Sequence, residues 1–230
     1  MADPALGGLY ADMEGRLGPQ GWWPAETAEE MVIGAVLTQA VAWRNAERAI
    51  AALRGAGLLD LAALAAADVD AVAVLVRPAG YFRAKARALR ALAVWISGQG
   101  GLGALAARPA AAVRRALLQV RGVGPETADA ILCYALGQPA FVADAYARRV
   151  LRRVGLLEAA DAGSYERARA ALAPRLPDGA DAPWLGELHA LLVAVGKEWC
   201  RPREPRCGAC PARTRCREAA RRTADGAAAG

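Results

Sequence analysis

Phenylalanine, histidine and lysine are nearly missing from this chain of 230 residues, which carries two Phe, one His and two Lys. β-Branched runs are scarce too, while alanine and leucine abound. That composition excludes a sheet-built protein and predicts an all-α fold, long enough to bury a sizeable core as one or two domains. A single histidine argues against a Ser-His-Asp triad. His189 lies in a helix beside Leu188, Leu191 and Leu192, and reads as a hydrogen-bonded structural residue. No stretch offers eighteen uninterrupted apolar residues, so no membrane span is expected. The N-terminus, MADPALGGLYADMEGRLGP, lacks a basic segment followed by an apolar run, so no signal peptide is expected and a cytosolic address is the default. No internal repeat of fixed period occurs.

What charge there is lies unevenly. The net charge is +6, and residues 200–222 hold eight Arg against Glu204 and Glu218, an excess that equals the whole-chain value. A basic end beside a balanced body fits contact with a polyanion, although a solvated tail is the commoner meaning of a charge run by itself. Arginine without lysine after Lys197 favours phosphate.

Helical patterns succeed one another along the chain. Residues 1–20 read as a short helix and loop. A helix over 28–37 is capped by Thr27 with Glu30 three residues on, and turns Met31, Val32, Ala35 and Val36 inward. Further helices are expected over 42–53, 59–67, 68–76 and 81–99, the last with Lys85, Arg87 and Arg90 on its polar side and with Gly98, Gly100, Gly101 and Gly103 breaking it. Beyond the central stretch, helices are expected over 145–153, 164–173 and 184–199.

The central stretch is residues 114–144. Val113, Leu117, Leu118 and Val120 form one apolar face, and Arg121-Gly122-Val123-Gly124 ends that helix, because two glycines in four residues favour positive φ. Pro125 then starts a new helix with Glu126 and Asp129 near its positive end. A glycine turn entering a helix offers backbone N–H groups suited to a phosphate oxygen without base preference. An ordinary corner between two helices is the simpler alternative. Asp144 comes next as a candidate N-cap ahead of Ala145-Tyr146-Ala147.

Cys200, Cys207, Cys210 and Cys216 are spaced C-x6-C-x2-C-x5-C. Four thiols within seventeen residues of a cytosolic chain point to a metal site rather than disulfides. Structural zinc usually takes two separated C-x2-C pairs around a longer insert, which this is not, and the spacing by itself leaves the metal open. Cys133, on the hairpin helix, reads as a buried small hydrophobe.

Leu118, Gly122, Val123, Gly124, Thr127 and Ala128, together with Val142-Ala143-Asp144, resemble the helix–hairpin–helix plus Gly/Pro/Asp signature of the endonuclease III superfamily of DNA glycosylases. The cysteine spacing resembles the 4Fe–4S loop of the same family. The resemblance covers roughly residues 20–217. It implies a six-helix domain over 23–136, containing the hairpin at 114–136, and a cluster domain made of 1–22 with 137–217. DNA would lie in the groove between them, and 218–230 would be a disordered tail. It further implies a monomer acting on damaged double-stranded DNA, without a membrane, in the cytoplasm at the nucleoid. The 4Fe–4S cluster would hang on the four cysteines and hold a basic loop, with Arg201, Arg203 and Arg206, against the DNA backbone.

Carried over residue by residue, the resemblance nominates Asp144 as the catalytic carboxylate. Gln39 would enter the gap beside the orphaned base, and Tyr81 would be the wedge. The hairpin residues Gly122, Val123, Gly124 and Thr127 would grip DNA. Where bifunctional members carry a lysine nucleophile, this chain has Glu126, which is not expected to act as one. Trp22-Trp23-Pro24 and Trp43 resemble the 3-methyladenine branch, whose aromatics sandwich a flipped alkylated purine, and Lys197 matches that branch's pocket lysine. A cationic base suits an electron-rich ring face. The combination implies a monofunctional glycosylase with weak or absent lyase activity. The alternatives are an endonuclease III-like enzyme for oxidised pyrimidines and a non-catalytic damage-binding homologue. A mismatch-adenine enzyme is disfavoured, since that branch needs a carboxylate where this chain has Gly34.

Overall fold

The computed structural model describes residues 3–228, the side chains of 225–228 apart, and among these every regular element is helical. Asp3 caps α1 (Pro4–Leu17), its carboxylate accepting from the Ala5 N–H. Thr27 caps α2 (Ala28–Leu37) by accepting from Glu30 N. The reciprocal half of the expected capping box is shifted by one residue, because Glu30 accepts from Glu26 N. Next in order are α3 (Trp43–Gly55), α4 (Leu61–Ala66), α5 (Val69–Leu75) and α6 (Phe82–Gly98), with Asp60 and Asp68 capping α4 and α5. Gly100 and Gly101, both at positive φ, break the chain as expected, but Gly101–Ala106 then forms a further helix, α7. The hairpin helices are α8 (Ala110–Leu117) and α9 (Pro125–Ala130), the latter continuing as one π-turn over Ile131–Ala135. After an extended segment come α10 (Ala145–Val154), α11 (Ala159–Ala162), α12 (Tyr165–Leu172), α13 (Ala182–Glu198) and α14 (Arg217–Ala228).

The chain divides into two units, Trp23–Ala140 and Met1–Trp22 together with Phe141–Gly230. The first runs a few residues past the expected boundary at 136 because Gln138 is tied back into it. Its buried amide donates to the carbonyls of Ala106 and Arg108 at the end of α7. Its core is aliphatic: Val32, Ile33, Val36, Leu37, Leu89, Leu92, Ile96, Leu117 and Ile131 are all buried. A bidentate ion pair joins the two hairpin helices, Arg114 Nε and Nη2 donating to Asp129 Oδ1 and Oδ2 at 2.7 and 3.1 Å, with the Asp129 side chain 1% exposed. Asp129, expected to serve the helix dipole, directs its charge to Arg114 instead.

In the second unit α10 packs on α13 through Tyr146 and Gly196, where an added Cβ would stand 2.7 Å from the Tyr146 ring. Tyr10 of α1 stacks on Trp184 at 5.0 Å. The tail is a correction to the sequence expectation. Residues 218–228 are not a disordered tail but belong to α14, which begins where the cysteine loop ends. Ala219 is buried, and the Arg221 and Arg222 guanidiniums on Glu218 hold its carboxyl down at about 2. Residues 229 and 230 lie outside the described residues. Among the described residues no helix is long and apolar enough to cross a membrane.

Breaking the buried pair from one side removes the counter-charge of the other. Arg114→Met is expected to lower stability to urea by about 3–5 kcal/mol, and Arg114→Met with Asp129→Leu to recover most of that loss.

Candidate active site

The hairpin sits where it does because of one glycine. Gly122 has φ 88°, and a Cβ there would come within 2.4 Å of the Ala88 Cβ on α6. Gly124, expected at positive φ as well, is extended (φ −94°) and caps α9 as its N-terminal neighbour. Val123 is buried beneath the turn, whereas Glu126 is exposed in the first turn of α9.

Gln39 reaches this hairpin. Its Nε2 donates to Gly122 O at 3.1 Å and to Thr127 Oγ1 at 2.8 Å, the latter on a buried side chain. Both amide protons are thus held, and Oε1 remains as the acceptor the residue can present. Tyr81, at the N-cap of α6, has left-handed backbone (φ 44°) and is 78% exposed, an aromatic ring held out in solvent. Lys85, expected on the polar side of α6, is buried, and its ammonium donates to the carbonyls of Leu37, Gln39 and Ala79. Burial pulls it down to about 8.

The tryptophans fall into two groups. Trp23 and Trp43 meet edge to face at 5.7 Å, and Trp23 meets Tyr134 at the same distance with the rings tilted by 55°. Gly34 makes this possible, for a Cβ there would touch the Trp23 indole at 3.2 Å. A carboxylate at position 34 would displace that ring. Tyr134 is a member that sequence reasoning misses, because the π-turn that aims it has no signature in residue spacing. Trp22 belongs to the other unit, where the Lys197 ammonium lies 5.3 Å over its ring. The ring face read as a seat for a cationic base already holds a cation of the protein.

Asp144 is the N-cap of α10, Oδ1 accepting from Ala147 N at 2.7 Å. Its Oδ2 stands 3.8 Å from His189 Nε2, in a setting where both side chains are largely enclosed. The Ala143 N–H before it donates to the Tyr165 hydroxyl. His189 therefore faces the nominated carboxylate, which helix periodicity in α13 could not reveal.

The cysteine loop is gripped by two arginines of α10. Arg149 donates to Gly196 O and Cys200 O, and Arg153 to Arg201 O, Pro202 O and the Cys200 sulfur. Burial pushes the Cys210 thiol up to about 11, against a hydrogen bond from Ala212 N–H, and charge on Cys200, Cys216 and Cys207 adds to the rise. The four thiols are thus near neighbours. Among the described residues no three His, Cys, Asp or Glu side chains are arranged to hold one metal ion. Arg201 and Arg206 both turn to Glu198, at 3.7 and 2.8 Å, while Arg203 is exposed. Cys133 is buried, and its thiol is pushed up to about 12 by that burial and by the Asp129 charge, so it stays a neutral core residue.

A profile of the HhH-GPD superfamily of base excision DNA repair proteins matches residues 33–175. A Methanocaldococcus jannaschii protein named as a DNA repair glycosylase is 38% identical over 211 residues, 90% of this chain and 94% of that protein. Endonuclease III of Bacillus subtilis is 31% identical over 113 residues, 49% of each chain. Among solved structures, the H. pylori 3-methyladenine DNA glycosylase bound to 1,N6-ethenoadenine has a TM-score of 0.73 at 24% identity, covering 86% of this chain and 98% of that one. An endonuclease III–DNA complex has a TM-score of 0.78 at 21% identity, covering 97% and 99%. Both share the fold.

Gly122→Ala combines a left-handed backbone with a collision at Ala88. It is expected to cost about 3 kcal/mol in urea unfolding and to weaken binding to undamaged duplex.

Proposed function

The chain belongs to the HhH-GPD superfamily of base excision DNA repair proteins, as a DNA glycosylase, and we propose that it is a monofunctional one that releases alkylated purines. The observation that carries the first half is the position of the lysines. A lyase step needs an amine that can reach the sugar aldehyde and form a Schiff base. Glu126 offers none, and Lys85 is closed in by three carbonyls. Lys197 is engaged with the Trp22 ring.

Hydrolysis of the N-glycosidic bond builds positive charge on the deoxyribose as the base leaves. Asp144 stabilises that charge and orients the attacking water through the oxygen that the helix cap does not use. A cationic, alkylated base is already a good leaving group, so little acid catalysis is required of the protein. The aromatic group of Trp23, Trp43 and Tyr134 supports the substrate class: their ring faces suit a flipped, electron-poor purine. The H. pylori relative, named for 3-methyladenine and solved with an ethenoadenine, points the same way. Lys197 would occupy Trp22 until such a base competes for the ring. Gln39 would take the place of the lost base, Tyr81 would wedge the duplex, and the hairpin at Gly122, Val123, Gly124 and Thr127 would hold a phosphate.

The four cysteines would carry a 4Fe–4S cluster. The reading rests on their C-x6-C-x2-C-x5-C spacing and on the family to which the chain belongs. Its part would be structural, keeping the loop of Arg201, Arg203 and Arg206 in shape beside DNA. We read the protein as a monomer working in the cytoplasm at the nucleoid.

Incubation with duplexes carrying methylated adenine or thymine glycol, half of each reaction then treated with alkali, tests the reading. Strand breaks at methylated adenine that need alkali are expected. Breaks without alkali at thymine glycol would assign the protein to oxidised pyrimidines, and lesion binding without base release would make it a non-catalytic binder. Asp144→Asn is expected to slow base release by about 10²-fold or more while leaving stability nearly unchanged, because asparagine caps a helix as well as aspartate. Anaerobically purified protein should contain about four iron and four sulfide per chain, and zinc in their place would reject the cluster.

A further inference from the structure

Lys85 is a buried cation that the proposed chemistry does not use. It stands on α6, four residues beyond Tyr81, and is 4% exposed. Its ammonium has three protons, and they go to Leu37 O, Gln39 O and Ala79 O, each at 2.8 Å. Removing an ammonium from water is costly, and an apolar side chain could fill the same space without that penalty. The value of the charge lies in what it joins. Leu37 is the last residue of α2, Gln39 stands two positions on in the loop, and Ala79 ends the single 3-10 turn Arg77–Ala79 ahead of Gly80 and Tyr81.

Backbone strain sits at the same two places. Ala40, next to Gln39, has φ 51°, and Tyr81 has φ 44°. Among the described residues the other non-glycine at positive φ is Glu204, in the other unit. Left-handed backbone is unfavourable for these residues, and persists where the surroundings over-determine it. For the Gln39 loop and the Tyr81 turn, the common surrounding is the Lys85 ammonium.

We infer that Lys85 is a positioning residue for invasion of the duplex: by holding the Gln39 loop and the Tyr81 turn on one point charge, it sets the spacing at which the two side chains enter together. The inference rests on the glycosylase reading, which gives Gln39 and Tyr81 their roles. An arginine would not replace it, because a planar guanidinium cannot direct three protons to carbonyls arranged around a point.

The test uses 2-aminopurine placed opposite an uncleavable abasic-site analogue, whose fluorescence rises when the orphaned base is unstacked. With saturating protein, Lys85→Met is expected to cut that rise by about fivefold while affinity for undamaged duplex stays within about twofold. In the Lys85→Met background, Gln39→Ala or Tyr81→Ala should cost little more, since residues acting as one unit are not additive. Should Lys85→Met fail to fold, Lys85→Arg is measured in its place, with the same loss of amplitude expected. A full rise at saturation, or losses that simply add, would overturn the inference. Base release plays no part in the signal. An inactive protein that still unstacks the probe would reject the glycosylase reading alone. An active glycosylase whose Lys85 variant keeps the full amplitude would reject this inference alone.

Discussion

The unit of residues 23–140 depends on one close approach, the backbone of Gly122 against the methyl group of Ala88. Gly122 lies so close to Ala88 that no side chain fits between them, and the turn it makes is one that other residues avoid. Ala88 is on α6, the helix that Tyr81 precedes as N-cap and that carries Lys85, while the carbonyl of Gly122 itself receives the Gln39 amide. The missing methyl group therefore sets the depth at which the hairpin docks and, through it, where the Gln39 amide is held. The Arg114–Asp129 pair keeps the two hairpin helices from separating behind that contact.

Features that depend on neighbours along the chain are legible in the sequence. Thr27 caps the helix that it announces, and α2 has the bounds that its apolar periodicity predicts. Features set by tertiary geometry are not legible there. Lys85 lies where a helical wheel puts a polar face, but the end of α2 covers that face with carbonyls, and carbonyls have no sequence identity. Tyr134 is aimed by a π-turn and His189 by the crossing of α10 with α13. For α14, expected as a disordered tail, the cysteine loop delivers the chain to a helix start that Glu218 and its arginines then stabilise.

Arginine abundance means something different in the second unit from what a charge count suggests. Arg149 and Arg153 are fastened to the carbonyls that lead into the cysteine loop, and Arg215 lies across Gly8 to reach Asp12 of α1. Arg201 and Arg206 share Glu198. Much of the positive charge is thus structural mortar between loop and helices, and the electrostatic footprint offered to a polyanion is smaller than the formal excess.

The π-turn over Ile131–Ala135 places one more residue in a turn than an α-helix would. Removing that residue would leave the hairpin and α9 untouched, yet rotate the downstream residues by about 100° and draw them back by about 1.5 Å. Tyr134 would leave the company of Trp23 and Trp43. A single codon lost or gained at this point would thus exchange one wall of the aromatic group while the hairpin is inherited unchanged.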